Sequence, residues 1–318
     1  MEKKILVGGQ AVIEGVMMRV PGAYATAVRK PDGSIETRRY EFNSAGDKFP
    51  LLKKPILRGI TSLFESMKIG ISTLQFSADV AMQAEAEANG TEPKKENAFL
   101  SGLTMFFALA LGLALFGFLP LWITTKLLSI ERRALAFNLV AGFWRITFFL
   151  IYLWIISLMK DIQRVFQYHG AEHKTVFTFE SGRELNVENS RTFTTYHPRC
   201  GTSFIFIVLL SSILMFALID TVVILSIGRI TLALRLVFHL LMLPVVAGVG
   251  YEFLKVTARH QNTSWGKWLA APGLWLQRIT TKPPSDEQVE VAIEALKTAF
   301  GDNYGNYVGQ TFVAEAVE

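Results

Sequence analysis

The chain has 318 residues, 51% of them hydrophobic, a positive mean hydropathy and a formal net charge of +5. The apolar residues are gathered into long runs, which excludes an ordinary soluble domain. The basic residues form no run interleaved with aromatics, which argues against nucleic acid as a partner, and a single cysteine, Cys200, excludes an intrachain disulfide framework.

The start superficially resembles a signal peptide. Gln10, Glu14 and Arg19 interrupt its apolar stretch, so the chain is read as beginning as mature protein. Residues 1–97 then read as a cytoplasmic or membrane-peripheral region. Tyr24–Lys30 and Ser34–Phe42 are strand-like and are joined by Pro31-Asp32-Gly33, which predicts a β-hairpin. From Pro55 to about Met82, Ile56, Ile60, Leu63, Met67, Ile71 and Leu74 recur at helical spacing. That helix suits either the membrane surface or a domain core. Ala84–Asn97 is polar, contains Gly and Pro, and reads as a linker.

Residues 98–254 read as a transmembrane region. Four runs, Phe99–Thr125, Ala136–Met159, Phe204–Leu225 and Ile230–Leu254, each have at least ~20 mostly apolar residues, enough to cross the hydrocarbon layer. Lys and Arg set the orientation. Of the 32, fourteen lie before residue 96, six in the 160–203 loop and six after Leu254. The connections 126–135 and 226–229 hold three and one. Both termini and the 160–203 loop are therefore expected in the cytoplasm, against membrane lipids. In the tail, 255–318, Ser285 or Asp286 is placed to cap a helix running to about Phe300, and residues 301–318 are expected to be loosely ordered. The expected fold class is a mainly α membrane protein with about four transmembrane helices and a small cytoplasmic α+β part that includes the hairpin.

The sharpest chemical signal is His169-Gly170-Ala171-Glu172-His173. On a helix, residues four apart share a face, so two imidazoles can hold one ion with Glu172 beside them as general base. This H-x-x-E-H pattern marks the inverted zinc peptidases. His197-Pro198-Arg199-Cys200-Gly201 follows on the same loop. One reading joins the two clusters, with His169, His173 and Cys200 as ligands and His197 as a fourth ligand or as support. A thiolate with imidazoles favours zinc. Four ligands would make a closed, structural site, and three would leave it open for hydrolysis. A nucleophilic Cys200 with a histidine base is a further option. Glu252 stands where a distant third ligand would come from, or pairs with Lys255 or Arg259. Arg145 lies deep in the second span, where charge is costly. It is read as facing a polar cavity, pairing with Asp220, or meeting a lipid headgroup.

The segments GGQAVIEGVMMR at 8–19, PILRG at 55–59, HGAEHK at 169–174, HPRCGTSF at 197–204 and PGLWLQRITT at 272–281 together resemble the YqhQ-like family of bacterial membrane proteins. The match runs from residue 8 to about residue 300. The resemblance implies a bacterial plasma-membrane location, and such proteins are described as predicted metal-dependent enzymes.

Two functions follow as expectations. The first is a membrane-anchored, zinc-dependent hydrolase, perhaps a peptidase, with Glu172 as base and with His169, His173 and either Cys200 or Glu252 on the metal. The second is a non-enzymatic scaffold, a lipid or partner binder, or a transport or insertion component, in which the His/Cys cluster is a structural clip. A homo-oligomer or a membrane-protein partner is expected beside the membrane lipids. A transporter proper is a weaker third, because four spans are few and no repeat is visible.

Overall fold

The computed structural model describes residues 3–5, 7–88, 90–91, 98–260 and 263–314. The chain opens with β1 (Lys3–Ile5), β2 (Gly8–Val12), β3 (Gly15–Val20), β4 (Ala23–Arg29) and β5 (Ile35–Glu41). Strands β2 to β5 form an antiparallel meander in sequence order. The predicted hairpin is β4–β5, with Ala23 opposite Glu41. A second hairpin, β2–β3, pairs Gly8 with Arg19 and turns at Ile13-Glu14.

The first helices are α1 (Ala45–Lys48), α2 (Leu57–Ala88) and α3 (Ala98–Gly112). The predicted linker therefore begins later than expected, because α2 continues to Ala88; its residues 92–97 lie outside the described part. A π-helical turn, Leu113–Phe118, leads into α4 (Leu119–Leu127). Next come α5 (Ala134–Ile156), α6 (Lys160–Glu180), α7 (Val187–Arg191), α8 (Gly201–Ile227), α9 (Leu232–Arg259), α10 (Ser264–Thr280) and α11 (Asp286–Phe300). The chain closes with β6 (Phe312–Ala314), which pairs in parallel with β1. The expectation of a loose tail is thus corrected up to Ala314, and residues 315–318 lie outside the described part.

Among the described residues, four helical runs are long and apolar enough to cross a membrane: Gly102–Leu127, Ala134–Ile156, Gly201–Ile227 and Leu232–Arg259. Leu210, Leu214, Leu218 and Leu225 of α8 stand exposed. A soluble fold would bury such a stripe, and a bilayer covers it.

The α+β lobe has its own core. Val16, Met18, Ala25 and Ala27 of the sheet pack with Tyr168, Ala171 and Phe179 of α6 and with Ala292, Leu296 and Phe300 of α11. The other sheet face takes Ile69, Phe76 and Val80 of α2, so β3 and β4 are covered on both sides. Helix α11 forms because Ser285 and Gln288 make a reciprocal capping box ahead of its apolar face. Arg39 of the edge strand donates to the Ala299 carbonyl near the far end of that helix at 3.1 Å.

Lobe and spans meet where α2 crosses α9. A Cβ on Gly59 would lie 2.9 Å from Gly248 Cα, and one on Gly248 would lie 2.6 Å from the Ile56 carbonyl oxygen. Only glycine on both helices allows so close a crossing. About half of the 160–203 segment, residues 160–180, is helix α6 rather than loop, and 272–277 lies inside α10.

Candidate metal centre

Helix α6 carries the H-x-x-E-H residues on its middle turns and packs them against three other segments. His169 Nδ1 lies 2.8 Å from the carbonyl oxygen of Thr280, at the end of α10. His173 Nδ1 makes a short hydrogen bond to the carbonyl oxygen of Thr195. A carbonyl only accepts, so each Nδ1 carries the proton and each Nε2 keeps a free lone pair. This is the arrangement in which backbone carbonyls fix the tautomer of ligating histidines.

Cys200 caps α8, and its sulfur accepts from the Thr202 amide at 3.4 Å. The thiol therefore sits at the positive end of a long helix, a place suited to an anionic ligand. His169 Nε2 is 3.1 Å from Cys200 Sγ. Donor atoms of His169, His173 and Cys200 all fall within 4.8 Å of one another. His173 and Cys200 are buried and His169 is half-buried.

Glu172 is buried next to this group, with Oε2 3.4 Å from His173 Nε2. Burial pushes its carboxyl from 4.5 up to about 7, against the opposing pull of His169 and of the Gly9 amide. Gly9 explains part of the N-terminal glycine motif. A Cβ there would meet the Met17 carbonyl oxygen at 2.4 Å and Glu172 Cγ at 2.8 Å, so only glycine lets β2 lie against this carboxyl.

The structure sets the remaining sequence candidates apart from the group. His197 lies beside His173, with ring centroids 5.4 Å apart. Its Nδ1 accepts from the Arg199 amide at 3.3 Å, and its Nε2 faces Arg199 and Glu180, which are ion-paired with each other. Burial holds this imidazole down at about 4, so it is neutral at pH 7. Gln277 clamps the His197 backbone, accepting from its amide and donating to its carbonyl at 2.8 Å each. His197 thus positions the loop and does not join the donor group. Glu252 takes Arg58 through two bonds and the Ile56 amide at 3.2 Å, so it fastens α2 to α9. It is committed there rather than to the His/Cys group, and Arg58 is its ion-pair partner. Glu14 binds Arg164 through both oxygens and is not directed at the site.

Arg145 does not pair with Asp220. That carboxylate is taken by Asn138 at 2.6 Å, Arg235 at 2.8 Å and His239 at 3.0 Å. Arg145 Nε donates instead to the Phe116 carbonyl at 2.9 Å, inside the π-helical turn. Sequence reasoning missed the carbonyls of Thr195 and Thr280 and the clamp by Gln277. Backbone acceptors leave no residue signature, and Gln277 lies 80 positions from the loop it holds.

Fold and site together define a class: a helical membrane-type protein with four span-length helices and a small α+β lobe that brings His169, His173 and Cys200 together beside a buried carboxyl. Within that class, the chain belongs to the family described as Protein of unknown function (DUF1385), whose model matches residues 54–302. It is 35% identical over 300 residues to Uncharacterized protein YqhQ of Bacillus subtilis (strain 168), covering 91% of this chain and 90% of that one. No solved structure matches the chain.

Proposed function

We propose that this chain is a membrane-anchored, zinc-dependent hydrolase, with a peptidase as the narrower form of that reading. The supporting observation is the convergence of His169, His173 and Cys200, with both histidine Nδ1 atoms already committed to backbone carbonyls. These three side chains would hold the ion. Three protein ligands leave a further position for water or substrate, as in catalytic zinc sites. A mixed imidazole and thiolate set suits zinc better than a hard cation. Bound there, zinc supplies Lewis acidity for attack on a carbonyl.

The chain's own residues supply the rest. Glu172, with a value of about 7, can both take and return a proton at neutral pH. Thr195 and Thr280 keep the imidazoles oriented through their carbonyls. The apolar spans and the bias of Lys and Arg support a multi-pass plasma-membrane protein with both termini and the site in the cytoplasm.

One observation favours the second reading, a structural clip in a non-enzymatic scaffold. The 3.1 Å contact from His169 to Cys200 already ties α6 to the start of α8. Metal content by mass spectrometry tests both. Wild type and Glu172→Gln should carry stoichiometric zinc, and His173→Ala and Cys200→Ser should lose it. Wild type that stays metal-free after zinc is supplied would overturn the hydrolase. If zinc is present, loss of peptide hydrolysis in Glu172→Gln supports the enzyme, whereas unfolding on chelation without any hydrolysis supports the clip.

A further inference from the structure

A cavity of about 380 Å³ lies among the spans, walled by the π-helical turn, α5, α8 and α9. Its lining is apolar except for Arg145, Ser212 and His239. Four of its lining residues, Leu113, Phe118, Leu240 and Leu243, are also among the exposed apolar side chains of the spans. The mouth therefore faces the bilayer rather than water.

Arg145 sits eleven residues from either end of α5, at about the middle of the span. It is buried, with Nε on the Phe116 carbonyl and Nη1 3.5 Å from Ser212 Oγ. Among the described residues no carboxylate pairs with it. Its guanidinium lies 5.3 Å from the centroid of Phe216, whose ring stacks on His239 at 3.9 Å. His239 Nε2 is committed to Asp220, while its Nδ1 is buried without a partner.

A permanent cation at this depth is costly unless an anion or water compensates it. Water alone is a poor filling. By volume the cavity takes about a dozen molecules, each needing two or more polar partners, and three polar side chains cannot support them. Asp220 is unavailable because Asn138, Arg235 and His239 already hold it. What fits is one anionic group on an apolar tail. The size also falls in the usual range for a ligand pocket.

We infer that this cavity binds a single-chain amphiphile carrying a carboxylate or phosphate, which enters from the bilayer and places its anionic group on Arg145. The site is separate from the His/Cys centre. Ser212 lies twelve residues along α8 from Cys200, about 18 Å of helix rise.

The test is binding of cis-parinarate, a fluorescent long-chain carboxylate, to full-length protein in neutral detergent. Saturable binding is expected. Arg145→Gln should weaken it about 10- to 100-fold, the worth of a charge-assisted hydrogen bond. Arg145→Lys should keep part of the affinity. Gly117→Leu leaves Arg145 in place and fills the cavity, since a Cβ there meets only Leu236 at 3.9 Å; it should also block binding. Palmitate and hexadecyl phosphate should compete, whereas methyl palmitate, acetate and inorganic phosphate should not. Competition by acetate or phosphate would point to a water-borne anion and overturn the lipid assignment. Equal competition by methyl palmitate, or unchanged binding in both Arg145→Gln and Gly117→Leu, would overturn the site. Thermal unfolding and zinc content of each variant separate these outcomes from misfolding and from failure of the metal reading.

Discussion

Two buried polar clusters among the described residues, one around Asp220 and one around His169, differ in one respect. Around Asp220, inside the spans, the polar groups satisfy each other: Asn138, Arg235 and His239 donate to the carboxylate, and Arg235 also donates to the Glu131 carbonyl. Around His169, His173 and Cys200, in the lobe, outer atoms are tethered and inner atoms are left converging. Saturated clusters hold a fold together. A cluster that spends its bonds on orienting donors toward a shared point has lone pairs in reserve for something else.

The comparison is easiest to break at Asp220. Asp220→Ala leaves Arg235, fully buried, without its carboxylate, and removing one partner of a buried pair costs about 3–5 kcal/mol. The thermal midpoint in detergent should fall steeply. Replacing both members, as Asp220→Leu with Arg235→Met, should recover only part of the loss, because it removes the stranded cation but leaves Asn138 and His239 without their acceptor. An Asp220→Ala variant as stable as wild type would show that the intramembrane cluster has a different role.

The same contrast explains what could be read from residues alone. The spans were legible because a 20-residue apolar run has few other uses. The hairpin β4–β5 was legible through Pro31-Asp32-Gly33, whereas β2–β3 turns at Ile13-Glu14, a pair with no turn signature, and Glu14 takes a positive φ of 51°. The spacing of His169 and His173 showed that they share a face, and Cys200 was a chemically sensible third member. Nothing in the spacing could separate His197 and Glu252 from that group. Their places depend on Glu180, Arg199 and Arg58, which reach them only through the tertiary fold. The helix at 264–280 is hard to see in the residues because Pro272-Gly273, a pair that ordinarily breaks a helical pattern, lies inside it.

Glu172 sharpens the comparison through pH. In the chelated protein its carboxyl titrates near 7 when folded and near 4.5 as an ordinary side chain. A raised folded value means that the folded state holds the proton more tightly. The carboxyl imposes no charge penalty below about pH 4.5; stability then falls as pH rises through 7, where the folded group must ionise. Gln cannot ionise and keeps the shape. Chelated Glu172→Gln should therefore match wild type near pH 4.5 and exceed it at pH 8 by up to about 3 kcal/mol. Thermal unfolding at the two pH values measures this. A variant equal to wild type at pH 8 would mean that the buried carboxylate is stabilised by partners, as Asp220 is.

The smallest expected effect tests whether the lobe cluster is tuned for a ligand. Thr202 Oγ1 lies 3.1 Å from Cys200 Sγ and is a donor the sulfur can use. Thr202→Val keeps the branched shape and removes that bond. If the sulfur binds zinc, loss of an outer hydrogen bond should weaken zinc affinity by about tenfold, at the low end of such supporting contacts. The fold should scarcely respond, because Cys200 still caps α8 and the Thr202 amide still reaches the sulfur. Competition with a chromogenic chelator reads the affinity, and the thermal midpoint of the chelated protein reads the fold. A drop in stability with unchanged zinc affinity would reverse the assignment, making the lobe cluster the structural one.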